Sequence, residues 1–128
     1  MANWDRFLDR LKSRTRSRGF KRDVAILDQS GLFDRAWYLK QNPDVAEHHA
    51  DPVWHYLLCG AQEGRDPGPT FSTSGYLDLY PDVATKGMNP LLHYVQFGHT
   101  EGRVPVRRDY TAWIEQYDQL TEDRKSVV

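Results

Sequence analysis

The chain has 128 residues, of which 39% are hydrophobic, and it carries 17 Lys and Arg against 18 Asp and Glu. This length allows one modest hydrophobic core and is too short for a typical nucleotide-sugar enzyme. The near-neutral charge balance gives no overall attraction to nucleic acid, so nucleic acid is not an expected partner. A single cysteine excludes an internal disulfide. With no apolar leader at the N-terminus, the sequence predicts a cytoplasmic location.

The first 30 residues are predicted to hold an amphipathic helix, a basic linker and a short second helix. The first helix, with Asn3 as its N-cap, is indicated by apolar residues at positions i, i+3, i+4 and i+7: Trp4, Phe7, Leu8 and Leu11. Residues 13–22 are rich in cations and poor in apolar surface, which predicts a frayed helix end or a solvated linker stopping at Gly19. Asp23 is predicted to cap the second helix, which ends at residues 30–31.

One sequence pattern occurs twice in the middle of the chain. Phe33 recurs as Phe71 and Pro67 recurs as Pro105, an offset of 38 residues without a gap. The residues of the first copy that recur at this offset are Phe33, Tyr38, Leu39, Pro43, Asp44, Val45, Ala46, Pro52, His55, Tyr56, Gly60, Glu63, Gly64, Arg65 and Pro67. A fixed offset of this size is typical of stacked supersecondary units. The sequence therefore predicts two tandem repeats, residues 31–69 (repeat one) and residues 70–107 (repeat two).

Each repeat is predicted to contain two helices. The first begins after Asp34 in repeat one and after Ser72 in repeat two, because both side chains suit an N-cap. It is predicted to end before Pro43 or Pro81, since the residue before a proline disfavours the α region.

The second helix of each repeat has a matched start and a matched end. Residues 51–52 (Asp-Pro) and 89–90 (Asn-Pro) place a capping side chain before a proline at the first helical position. The helix is predicted to stop at Gly60 or Gly98, acting as a C′ glycine. No run alternates polar and apolar residues over the length of a strand, so the predicted fold class is all-α.

Residues 108–128 are predicted to form a C-terminal helix and the start of a connector. Behind Asp109 as N-cap, apolar residues again follow a helical spacing: Tyr110, Trp113, Ile114, Tyr117 and Leu120. Stacked repeats expose two end faces. We therefore expect the N- and C-terminal helices to close the stack of two repeats.

The candidate site residues are the charged and histidine side chains that both repeats share: Asp44, Arg65, Asp82, Arg103, His55 and His93. Each arginine is predicted to form a bidentate pair with the aspartate of its own repeat and so lock the turn. The alternative is that the two arginines line a groove for a sugar acid or a phosphate. Recurrence of the histidines at matched places favours a structural hydrogen bond, for instance to a carbonyl of the neighbouring helix, over catalysis or ligand binding.

Two further sets of side chains have the residue types of a binding site. One set is a local cluster of side chains that can bind transition metals, namely His48, His49, Asp51 and His55. Their spacing fits no established metal site and the cluster is not kept in repeat two, so no metal is predicted. A set of aromatic side chains is predicted to pack in the core, in preference to the alternative that they form a stacking platform for sugar rings. These are Trp37, Tyr38, Trp54, Tyr76 and Tyr80.

The repeats resemble a known arrangement. The segments SGLFDRAWYLKQNPDVA and DPVWHYLLCGAQEGRDPGPTF, followed by YLDLYPDVA and NPLLHYVQFGHTEGRVP, look like the paired repeat preceding the catalytic domain of bacterial family-2-type glycosyltransferases that build cell-surface polysaccharide. The final segment YTAWIEQYDQLTEDR is similar to the helix that connects those repeats to the catalytic domain. The same repeat also occurs in secreted bacterial surface proteins with calcium-binding repeats.

This resemblance implies a non-catalytic accessory module, acting as a spacer, a docking surface or a guide for the acceptor glycan. Its expected partner is a glycosyltransferase catalytic domain in cis or in trans. The sequence lacks the Asp-x-Asp pair and the phosphate loop that sugar-nucleotide and nucleotide chemistry would need, so no catalytic residue and no cofactor are predicted. The alternative is a stand-alone protein-interaction or surface glycan-binding repeat protein with no attached enzyme.

The N-terminus also suggests a peripheral contact with an anionic membrane, at its inner face. No apolar run reaches the roughly 18 residues of a transmembrane helix. An apolar stripe beside cations suits an interfacial helix, and the candidate contact residues are Trp4, Phe7, Leu8, Leu11, Arg14, Arg16 and Arg18. The competing interpretation is that the helix packs on the repeats as an end cap and the basic run is a solvated linker.

Overall fold

The computed structural model describes residues 4–14 and 16–106, and every regular element in that part of the chain is helical. The helices are α1 (Trp4–Arg14), α2 (Arg18–Gln29), α3 (Arg35–Gln41), α4 (Pro43–Glu47), α5 (Pro52–His55), α6 (Thr73–Leu79), α7 (Pro81–Lys86) and α8 (Pro90–His93). α5 and α8 each continue into a π-helical turn, Tyr56–Gly60 and Tyr94–Gly98. The all-α prediction is confirmed, while the predicted C-terminal helix and connector lie outside the described residues.

α2 starts earlier than the sequence predicts. The side chain of Ser17 caps it by accepting a hydrogen bond from the backbone N–H of Phe20 at 3.0 Å. Phe20 is buried, and its burial supplies the apolar contact that this cation-rich stretch was expected to lack. The predicted linker is therefore wrong from residue 18 onward: Gly19 lies inside α2 instead of stopping a helix, and Asp23 lies in its middle instead of capping it.

The predicted N-caps of the repeats are present. Asp34 accepts a hydrogen bond from the backbone N–H of Trp37, and Ser72 accepts one from the N–H of Gly75, each at 3.0 Å. The second helices are capped in the same way, by the aspartate of residues 51–52 and the asparagine of residues 89–90. These side chains satisfy N–H groups that have no partner within the helix, so local sequence alone sets where these helices begin.

Each repeat contains one more helix than predicted. Pro43 is the first residue of α4 and Pro81 is the first residue of α7. Proline has its φ fixed near the helical value and lacks the N–H that the first turn leaves unpaired, so it can start a helix as readily as end one. The two-helix prediction is therefore wrong, since the proline that ends the first helix begins the next.

The predicted C′ glycines are also misplaced. Gly60 and Gly98 lie within the π-helical turns, and the glycines with positive φ that follow these turns are Gly64 (φ 78°) and Gly102 (φ 77°). The backbone N–H of the following arginine, Arg65 in repeat one, donates to the carbonyl of Gly60 at 2.9 Å. The left-handed turn therefore comes four residues later than predicted, and Gly60 and Gly98 require another explanation.

One hydrophobic core extends through both repeats. Its buried members are Leu27, Tyr38, Val45, Val53, Tyr56, Ala61, Phe71, Tyr76, Val83, Leu91, Leu92 and Val106. α2 contacts α5 and α8, so it lies across the third helix of each repeat. The buried Tyr56 hydroxyl lies 2.9 Å from Oγ1 of Thr73, which donates to the carbonyl of Arg65 at 2.7 Å. The repeats are thus joined by apolar packing and by the hydrogen bonds that Thr73 makes with repeat one.

A second, smaller core holds α1 and α2 on repeat one. Its buried members are Phe7, Phe20, Leu58 and Cys59. α1 packs against the π-helical turn of repeat one and uses its apolar stripe for that contact. None of the described helices is long and apolar enough to cross a bilayer.

Candidate functional site

A tyrosine and a histidine meet inside each repeat. In repeat one the hydroxyl of Tyr38 lies 2.7 Å from Nδ1 of His55, and both side chains are buried. In repeat two Tyr76 and His93 make the same contact at 2.9 Å. The predicted structural hydrogen bond of each histidine therefore exists, but its partner is a tyrosine hydroxyl of the same repeat and not a carbonyl of a neighbouring helix.

The glycines of the π-helical turns make room for this pair. A Cβ atom placed on Gly60 would lie 2.2 Å from the hydroxyl oxygen of Tyr38, and one on Gly98 would lie 2.3 Å from that of Tyr76. Any side chain at these positions would displace the tyrosine from the histidine. The glycines recur because the tyrosine hydroxyl lies close against the helix backbone at these positions. The spacing of residues in the sequence does not reveal this close approach.

An ion-pair network flanks the pair in repeat one. Arg65 donates two hydrogen bonds to the carboxylate of Asp44, at 2.9 and 2.8 Å, in the predicted bidentate geometry. Nε of Arg65 lies 3.1 Å from Oε1 of Glu63, and the same oxygen lies 3.9 Å from Nε2 of His55. Glu63 thus stands between the arginine and the histidine, a role that its recurrence at the 38-residue offset could have suggested.

Repeat two reproduces this network with one change. Arg103 donates to the carboxylate of Asp82 at 2.9 and 2.8 Å, and Glu101 lies 3.4 Å from Nε of Arg103. The guanidinium of Arg103 also lies 4.7 Å from the ring centroid of Tyr80, within the range of a cation–π contact. Both arginines therefore point at aspartates, and neither stands free to line a groove for an anion.

Burial sets the protonation of the pair. It lowers the pKa of His55 to about 4, and the positive charge of Arg65 acts in the same direction. The pKa of Tyr38 is raised, mainly by burial, and that of Tyr76 is raised to about 12 for the same reason. Each tyrosine therefore keeps its proton near neutral pH. When a neutral His55 carries its proton on Nε2, which lies 3.9 Å from Oε1 of Glu63, Nδ1 accepts the hydrogen bond and the hydroxyl of Tyr38 donates it.

The histidine in repeat one is closed off from solvent by α1. The ring of Trp4 lies 5.2 Å from that of His55 and the ring of Phe7 lies 5.4 Å from it, measured between centroids. His55 is 1% exposed, so no substrate can reach its ring. The Tyr38–His55 pair therefore has the burial and the partners of a structural contact.

The candidate metal cluster is divided among other contacts. His48 stacks on Trp4 with a centroid distance of 3.9 Å, and its Nδ1 lies 2.8 Å from the carbonyl of Asp44. Asp51 caps α5 and pairs with Arg35 at 3.0 Å. Within residues 4–14 and 16–106, no three His, Cys, Asp or Glu side chains converge as a metal site would need.

The aromatic side chains do not form a single platform. Tyr38 and Tyr76 are fully buried, as the core interpretation predicts. Trp54 is half-buried and its ring packs edge-on against Phe20 at 5.6 Å between centroids. Tyr80 lies beneath the guanidinium of Arg103. These rings point to different places in the two repeats, so they do not form one stacking face for a sugar.

Three of the four apolar residues of the predicted membrane stripe pack inside the protein. Trp4, Phe7 and Leu11 belong to the small core against repeat one, which corrects their assignment as membrane contacts. Leu8 is 49% exposed and Leu11 is partly exposed. The three basic contact residues are exposed, namely Arg14, Arg16 and Arg18. The outward face of α1 is thus one exposed leucine beside cations.

The recurring polar residues of each repeat form one connected set of contacts. The tyrosine hydroxyl, the histidine, the glutamate, the arginine and the aspartate of each repeat contact one another. Comparison with known proteins adds no identity: no family model, no curated protein and no solved structure gives a significant match to the chain.

Proposed function

We propose that this chain is a non-catalytic helical module that serves a bacterial cell-surface polysaccharide glycosyltransferase as a spacer, a docking surface or a guide for the acceptor glycan. The observation that carries the proposal is that the shared polar side chains of both repeats are bound to one another, as in a scaffold. The resemblance of the repeats to the region that precedes such catalytic domains supplies the enzyme class. The partner is a glycosyltransferase catalytic domain, in cis or in trans.

The test is made in the host cell. The segment for residues 1–106 is deleted in frame, and the amount and chain length of cell-surface polysaccharide are measured. We expect both to fall, and to recover when the wild-type segment is restored. Arg65→Ala, which removes the ion pair with Asp44, should restore less than the matched exposed substitution Lys40→Ala. Unchanged polysaccharide after the deletion would refute the proposal.

A second measurement addresses catalysis directly. The purified chain is mixed with nucleotide sugars and a glycan acceptor, and release of the nucleotide diphosphate is followed. We expect no release above the rate without protein. Sustained release that follows the protein concentration would contradict a purely accessory role.

A peripheral membrane contact is a second candidate, favoured by one observation: exposed Leu8 lies on the same helix as exposed Arg14, with Arg16 and Arg18 close by in sequence. About 1 kcal/mol per basic residue near an anionic surface would come from the cations. Co-sedimentation with anionic vesicles should therefore weaken at high salt and with Arg14→Ala. Leu8→Asp should weaken it further, and equal sedimentation of all variants would exclude this contact.

A further inference from the structure

The surface that α1 covers on repeat one has a counterpart on repeat two. On repeat one, Trp4 stacks on His48 and Phe7 packs against His55. The positions that α1 contacts or borders are His48, Ala50, His55, Cys59, Gln62 and Glu63. At the 38-residue offset these become Lys86, Met88, His93, Phe97, Thr100 and Glu101, and this second set lines a groove of about 340 Å³. We call it the repeat-two groove.

The repeat-two groove is open among the described residues. Cys59 is 3% exposed beneath α1, whereas its counterpart Phe97 is 51% exposed. Glu101, at the edge of the groove, has a side chain that is 49% exposed. A large ring left half in water beside a buried histidine is the apolar contact that an amphipathic helix would cover.

The way α1 lies on repeat one gives the direction of such a helix. Its first turn is at His48, through Trp4, and its second turn is at Gln62, where Nη1 of Arg10 donates to Oε1 at 2.8 Å. Arg10 also donates to the carbonyl of Leu58. A helix lying the same way on repeat two would place its first turn at the counterpart of His48 and its second turn at the counterpart of Gln62, beside Glu101.

We infer that the repeat-two groove binds an amphipathic helix of a partner polypeptide, with an acidic first turn and basic residues in its second half. The first turn would meet Lys86 and the basic residues would meet Glu101, and both charges also suit the helix dipole. Phe97 and Met88 are larger than the residues they replace. The contact side chains of the partner are therefore aliphatic where α1 has aromatic rings, because a packed interface conserves volume.

The segments of this chain fit the groove less well than a partner does. α1 has the required charges, with Asp5 in its first turn and Lys12 in its last, but it is bound to repeat one through Phe7. Residues 110–117 have the apolar spacing of α1, yet Asp118 stands where α1 has Lys12. Gln116 likewise stands where α1 has Arg10, so this segment lacks the cations that Glu101 would attract. This inference deepens the docking role within the proposed function and rests on it.

The experiment uses the full chain and a synthetic peptide of residues 1–17 carrying Trp4→Leu and Phe7→Leu, labelled for fluorescence anisotropy. The peptide keeps the charges of α1 and has aliphatic contacts. We expect saturable binding that weakens at least about tenfold with Phe97→Asp, a change of about 1.4 kcal/mol or more. Phe97→Leu should keep most of the binding. Leu79→Asp, at an exposed leucine outside the groove, is the matched control and should bind as wild type.

Three results would overturn the inference. One is the absence of binding to a wild-type chain whose circular dichroism shows that it is folded. Another is binding that Phe97→Asp leaves unchanged, which would place the peptide elsewhere. The third is faster amide exchange at residues 110–117 in Phe97→Asp, which would identify the chain's own C-terminal segment as the occupant. If the peptide does not bind in the repeat-two groove but the in-frame deletion still lowers cell-surface polysaccharide, the docking inference is rejected and the proposed accessory function stands.

Discussion

Replacing Gly60 with alanine tests the tyrosine–histidine pair directly. The new Cβ would lie 2.2 Å from the hydroxyl oxygen of Tyr38, so the tyrosine must move away from His55. Overpacking of this kind costs about 1–3 kcal/mol. The broken hydrogen bond leaves a buried polar atom and costs about 1–3 kcal/mol more. A helical glycine replaced by alanine returns roughly 0.5–1 kcal/mol. We therefore expect Gly60→Ala to lower the free energy of unfolding by about 3 kcal/mol.

The measurement is urea denaturation followed by circular dichroism, arranged as a double-mutant cycle. Tyr38→Phe removes the hydroxyl oxygen, and the nearest remaining atoms would be Nδ1 of His55 at 3.3 Å and the Cζ of residue 38 at 3.4 Å from the new Cβ, which small shifts accommodate. In that background Gly60→Ala should lower the free energy of unfolding by less than about 1 kcal/mol, so the two changes should be coupled by about 2 kcal/mol. Additive effects would refute the role assigned to the glycine.

The chain contains its own controls for this cycle. Gly98→Ala with Tyr76→Phe repeats it in repeat two, where the new Cβ would lie 2.3 Å from the tyrosine hydroxyl, and should show the same sign of coupling. Gly19→Ala lies in α2 with only Oγ of Ser17 nearby, at 3.5 Å, and should be neutral or slightly stabilising. Destabilisation by Gly19→Ala equal to that by Gly60→Ala would show that the glycines matter for another reason.

Three further predictions concern protonation, the ion pair and the start of α2. Acidification from pH 6.5 toward pH 4 should lower the free energy of unfolding by roughly 3 kcal/mol through His55. In this range His55 binds a proton in the unfolded chain, whereas in the folded chain its pKa of about 4 keeps it mostly neutral. Urea titrations at several pH values should show that the free energy of unfolding depends less on pH in His55→Gln than in the wild type. An equal dependence on pH in the two proteins would contradict the lowered pKa of His55. Arg65→Ala should lower the free energy of unfolding by about 1–3 kcal/mol, because it leaves Asp44 without its bidentate partner. Arg65→Lys should recover only part of this stability, and full recovery would mean that the positive charge alone matters. Phe20→Ala should lower the melting temperature and reduce the free energy of unfolding by about 3 kcal/mol. No change in stability would support the prediction from sequence that residues 18–22 are a solvated linker.

Local rules of sequence determined the parts of the fold that depend on near neighbours. The N-caps at Asp34 and Ser72 and the Asp-Pro and Asn-Pro starts at residues 51–52 and 89–90 were predictable, since each satisfies N–H groups within three residues. The pairing of Arg65 with Asp44 was also predictable, because recurrence at one offset joined two opposite charges. The helical period of the apolar residues was enough for the all-α class.

Contacts between distant residues decided the rest. Residues 18–22 look too basic for a helix, but Phe20 finds a buried place against repeat one, and that burial outweighs the local pattern. Gly60 looks like the end of a helix, yet it is a glycine because the hydroxyl of Tyr38 needs the space of a Cβ. The partner of His55 is likewise a tyrosine 17 residues away. A one-dimensional pattern records capping and periodicity, whereas close approach between side chains and backbone exists only once the chain is packed.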